Sequence, residues 1–129
     1  MPHFHIEYTK NIANSVDMAA FCEVIRAKAA SIPTFPMPGI RVRAICVDHY
    51  AIADGDPKHG FIDISIRLRE GRDDQTKADA AKQIFDAART FLTPVMSTRS
   101  IALSLEMRDI NAALSPKHST IRDHLGASK

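Results

Sequence analysis

The sequence predicts an α/β (α+β) fold made of duplicated β-α-β units, with four strands in one sheet and two helices on one face. Three observations predict it. Apolar and polar residues alternate through residues 2–8 and again through 61–69, and apolar residues recur at helical spacing through 18–29 and 80–92. The order strand, helix, strand also occurs twice, in a unit of about 57 residues, with Phe4 and Phe61 in comparable places near the two starts.

The first strand places Pro2, Phe4, Ile6 and Tyr8 on one side and His3, His5 and Glu7 on the other. After the polar NIANS, Met18, Phe21, Cys22, Ile25 and Ala29 form a helical stripe, with Ser15 or Asp17 placed to cap its N-terminus. SIPTFPMPG stops that helix, because its three prolines remove backbone donors and fix φ. IRVRAICVDHY reads as the second strand, and the turn-rich ADGDPKHG ends the first half.

In the second half, FIDISIRLR puts Ile62, Ile64, Ile66 and Leu68 on one face, and GRDDQ supplies capping and acidic first-turn residues. Ala80, Ala81, Ile84, Phe85, Ala88 and Leu92 form the second helical stripe, and RSIALSLEMRDI is the fourth strand, with Ile101, Leu103, Leu105 and Met107 together. The pseudo-repeats are about 2–56 and 59–110 within one domain of 1–129, followed by a polar tail, 111–129, with one short helical segment. Helices on one face leave the other uncovered. Apolar residues around Ile45, Val47, Ala102 and Leu103 make that face an expected contact between copies, and the tail is a candidate to lie over a neighbouring subunit.

The bulk composition, 45% hydrophobic and 25% charged in 129 residues, is that of one globular domain able to bury a core without staples. Cys22 and Cys46 fall in apolar segments without metal-type spacing and read as reduced core residues, which with the lack of a signal pattern or membrane-length apolar run predicts a cytoplasmic protein. A net charge of +2 with no basic run argues against nucleic acid, and no segment argues for a membrane. His3 and His5 share a strand face but lack a third ligand, so no metal site is expected. Asp48, Asp54 and Asp56 read as strand-end and turn residues.

The chemistry-bearing feature is Pro2. An internal proline nitrogen is an inert amide, but removal of Met1 would make it a secondary amine on a rigid ring at the end of a strand. Parallel strands start at one sheet edge, which brings Pro2 to the start of the second strand, where Arg41 and Arg43 project to one face. Arg72 stands where the second helix begins, near its unpaired N–H groups. An α-amine titrates near about 7.7–8.0 in model peptides, and burial beside cations lowers that value toward ambient pH. This is a general base beside carboxylate-binding forks, suited to moving a proton in a small polycarboxylate. The second half begins KHGFID, an internal amide, so one site per chain is expected.

PHFHIEY, FPMPGIRVRAICVDHYAIADG and IRLREGRDDQTK closely resemble the 5-carboxymethyl-2-hydroxymuconate isomerase family of the tautomerase superfamily, over nearly the whole chain. The resemblance implies a homotrimer of duplicated βαβ units and catalysis without a cofactor. It implies that Pro2 is the proton carrier and that Arg41 and Arg72 hold carboxylates of a di- or tricarboxylate substrate, with Arg43 a neighbouring binding residue. It further implies a place in homoprotocatechuate (4-hydroxyphenylacetate) breakdown, converting the hydroxymuconate to its conjugated 2-oxo isomer.

Overall fold

A computed structural model describes residues 1–126. Four strands and two long helices follow in the order β1 (His3–Thr9), α1 (Met18–Ala30), β2 (Arg41–Val47), β3 (His59–Arg69), α2 (Asp74–Met96) and β4 (Ser100–Ile110). They form one sheet in the order β2-β1-β3-β4. Each β-α-β unit is parallel within itself, while the two central strands, β1 and β3, run antiparallel. The two halves therefore start at opposite ends of the sheet.

The alternation in β1 and β3 works as the period of two requires: Phe4, Ile6, Ile62, Ile64, Ile66 and Leu68 all point to one face and are fully buried there. Each such side chain contributes about 1.5–3 kcal/mol of transfer free energy. The helices close this face with Phe21, Ile25 and Ala29 from α1 and Ala80, Ile84, Ala88 and Leu92 from α2. They meet at a Phe21–Phe91 contact with ring centroids 5.5 Å apart. Asp17, not Ser15, caps α1 by accepting from the Ala20 N–H at 3.0 Å, and Asp73 caps α2 by accepting from the Thr76 N–H at 2.8 Å. The second strand is shorter than the expected 40–50, because Asp48, His49 and Tyr50 leave the ladder.

The prolines after α1 do more than end it. Phe35 packs edge-on against Phe4 at 5.1 Å, and Met37–Gly39 make a 3₁₀ turn that delivers the chain to β2. Where β3 starts, a Cβ on Gly60 would stand 2.8 Å from Thr9 Oγ1 and 2.9 Å from Ile12 Cγ2, so only glycine lets β3 close against the end of β1.

The face away from the helices is more polar than expected. It carries His3, His5, Glu7, Arg41 and Arg43 beside Ile45, which is 46% exposed. Leu103 belongs to the other side: it packs on the helix-covered core with Ile101, Leu105 and Met107, while Ala102 faces outward. Ser115 to His118 line the cleft at this chain's own sheet end, and of the tail expected over 111–129, residues 127–129 lie outside the described ones. Cys22 and Cys46 are free thiols, half-buried rather than core. No described helix is long and apolar enough to cross a membrane.

Candidate active site

The register of β1 on β2 sets His3 opposite Arg41 and His5 opposite Arg43. One rung earlier, the Arg41 N–H donates to the Pro2 carbonyl at 3.1 Å, so a main-chain bond ties the proline to the first arginine of β2. Pro2 is buried and Met1 half-buried. Gly39 presses on both, since a Cβ there would lie 3.1 Å from Pro2 Cδ and 3.2 Å from Met1 Cα.

An open cleft of about 700 Å³ lies at this end of the sheet, lined by Met1, His3 and Arg41 together with Arg67, Arg69 and Lys117. A second cleft of about 560 Å³ adjoins it and shares Met1, Arg69 and Lys117, with Arg72 and Arg122 on its wall. Met1 thus sits where two cation-rich clefts meet. Its α-amine is held below the ordinary value, first by burial and then by the charges of Lys117, Arg72, Arg41 and Arg69.

Among the residues singled out from the sequence, the structure brings Pro2, Arg41 and Arg72 to this end of the sheet. Arg72 makes no ion pair with Asp73 or Asp74; its Nη1 donates to the Arg69 carbonyl at 3.0 Å, and Asp74 pairs with Lys77 instead. Arg43 stands one rung further along β2, with Nη1 3.3 Å from His3 Nδ1, outside the lining of the clefts. His5 Nε2 lies 3.6 Å from Glu7 Oε2. Asp54 and Asp56 take part in turns, accepting from the N–H of Asp56 and of Lys58.

Arg67, Arg69, Lys117 and His3 were not expected here. The signal for Arg67 and Arg69 was present in IRLRE, whose arginines alternate with buried apolar residues. Its meaning depends on β3 running antiparallel to β1, which brings the end of β3, not its start, to Pro2: His3 pairs with Arg67 across the ladder. Lys117 arrives through the tail, tied down where the Ala112 N–H donates to Glu70 Oε2 at 2.6 Å. No periodicity announces such a return.

Chemically, the arrangement offers several guanidinium and ammonium groups around one amine at a strand end. A trianionic or dianionic ligand would find complementary charge there, and an amine with a lowered proton affinity is a competent base near neutral pH.

The chain is 27% identical over 94% of its length to the 5-carboxymethyl-2-hydroxymuconate Delta-isomerase of Escherichia coli, covering 96% of that protein. A crystal structure of a 5-carboxymethyl-2-hydroxymuconate delta-isomerase superposes with a TM-score of 0.89 at 27% identity, covering 96% of this chain and 92% of that one. In fold alone, the chain also matches a structure described as "W0 fused 4-OT wild type symmetric trimer", with a TM-score of 0.64, 21% identity and coverage of 84% and 86%. The family model for 5-carboxymethyl-2-hydroxymuconate isomerase matches residues 2–125, nearly the whole of the chain, and the chain belongs to that family.

Proposed function

We propose that this protein isomerises 5-carboxymethyl-2-hydroxymuconate to its 2-oxo-3-ene isomer, with the Pro2 amine, freed by removal of Met1, carrying the proton. The observation that carries the reading is the hydrogen bond from the Arg41 N–H to the Pro2 carbonyl, beside an α-amine whose proton affinity is lowered by burial, Lys117, Arg72, Arg41 and Arg69. The same surroundings would act on the Pro2 nitrogen and lower its proton affinity in the same direction.

The neutral amine takes the proton of the 2-hydroxyl group. The O–H electron pair forms the 2-oxo C=O bond, the double bonds shift to the 3-ene, and C5 accepts the proton that the prolinium returns. One proton leaves oxygen and one reaches carbon, so the balance closes without a further reactant. Arg41 and Arg72 are the proposed carboxylate forks, with Arg43 acting on the rung behind them. The negative charge on the conjugated oxygens is what these cations stabilise as it spreads.

A homotrimer accords with the uncovered sheet face and with the symmetric trimer whose fold the chain shares. A role in homoprotocatechuate breakdown in the cytoplasm follows from the substrate and from the sequence reading. The deciding experiment pairs the intact mass of the purified protein with an ultraviolet assay of the isomerisation. Mass without methionine and turnover that Pro2→Ala lowers by about 10²-fold or more is the expected result. Turnover with Met1 fully retained would show that another group is the base.

A further inference from the structure

His3 follows the proposed base in the chain and lines the larger cleft. Its ring is fixed by its neighbours. Nδ1 lies 3.3 Å from Nη1 of Arg43. A guanidinium has only donors, so Nδ1 must accept, and an imidazole that accepts at Nδ1 is neutral with its proton on Nε2. Among the described residues Nε2 has no hydrogen-bond partner. The ladder sets Arg41 of β2 on one side of His3 and Arg67 of β3 on the other.

This arrangement differs from that of the arginines. Guanidinium groups suit carboxylates, which carry full charge throughout the reaction. The 2-oxygen changes from hydroxyl to oxo and gathers charge only in passing. A neutral N–H donor serves such an oxygen because it strengthens its bond as charge grows and keeps its proton through the cycle. An imidazolium in the same place would compete with Pro2 for the role of acid.

We propose that His3 donates an Nε2–H hydrogen bond to the substrate's 2-oxygen as enolate charge develops there, and that Arg43 is the positioning residue that fixes the ring's tautomer. This rests on the isomerase reading of Pro2. It also gives Arg43 a function its distance from the clefts would otherwise leave open. The surrounding charges agree: burial, then Arg67, Arg43, Arg41 and the N-terminal amine, push the imidazole down to about 4, so it stays uncharged wherever the amine is active.

Two measurements test it. The first is a long-range ¹H–¹⁵N spectrum of the histidine rings in the full chain lacking Met1. The expected His3 pattern is the neutral Nε2–H tautomer from pH 8 to pH 5, with loss of the single tautomer in Arg43→Met. The second is steady-state kinetics. His3→Leu should lower kcat by about 10²-fold with KM within about threefold, and His3→Gln, which still has an N–H donor, should recover about tenfold of that loss. Arg43→Met should lower kcat by about tenfold, and Arg43→Lys, still a donor to Nδ1, should recover it. An Nδ1–H tautomer or a charged ring at pH 7 overturns the assignment, as does His3→Leu with unchanged kcat. If the wild-type chain without Met1 shows no turnover, the reaction itself is wrong and this role falls with it.

Discussion

The Arg41 N–H donates to the Pro2 carbonyl at 3.1 Å, so the proposed base and the first carboxylate fork are held by the same main-chain ladder. The bond is independent of the arginine side chain. Replacing that side chain removes the charge and leaves the position of Pro2 intact.

Arg41→Ala is therefore expected to lower kcat/KM by about 10²-fold while the melting temperature shifts by only a few degrees. Kinetics and a thermal melt on one sample check both parts. A large fall in melting temperature with little kinetic effect would assign Arg41 to structure.

Gly39→Ala tests the positioning of Pro2 from the other side. The new Cβ would stand 3.1 Å from Pro2 Cδ, closer than ordinary packing, and the contact persists after Met1 is gone. Displacing a reacting group by part of an ångström is expected to lower kcat by at least about tenfold. A variant with unchanged kcat would mean that the ring tolerates the shift.

After burial, Lys117 is the charge that most lowers the α-amine's proton affinity. The base must be neutral to accept the enol proton, so activity falls as pH drops through its pKa. Lys117→Met removes a cation, raises that pKa, and should move the acid limb of the kcat/KM profile to higher pH. A limb that stays in place would separate Lys117 from the base.

His3 supplies a stability prediction. Its folded pKa of about 4 lies below the ordinary value of 6.5, so between those two pH values the unfolded chain binds more protons. Stability should thus fall as pH drops from 6.5 to 4, with the His3 share lost by the lower value. Denaturant melts of wild type and His3→Gln across this range should show a shallower fall in the variant, and parallel curves would contradict the assignment.

Strand faces and helix stripes were legible because burial leaves a periodic record: Ile62, Ile64, Ile66 and Leu68 alternate in the chain and are all buried. Pro2, Arg41 and Arg72 were legible because parallel pairing brings strand starts together and helix starts attract anions. Arg67 and Arg69 were hidden by a relation between halves, since nothing local tells whether β1 and β3 run alike or opposed. The setting of His3 was hidden because its partner, Arg43, sits 40 positions away and is matched to it only by register. The polarity of the open face was misjudged for a related reason: Leu103 and Ala102 are adjacent in sequence but lie on opposite sides of the sheet.

The Pro2 nitrogen, joined to Met1 and enclosed beside Gly39, has a practical consequence at the bench. An affinity tag placed ahead of residue 2, or a tag-cleavage scar of even one residue, keeps that nitrogen an amide and fills the cleft with foreign chain. If Pro2 is the proposed base, protein prepared that way would show no turnover even where its fold is intact. The purification handle belongs at the other terminus, beyond Gly126, where the described chain is exposed.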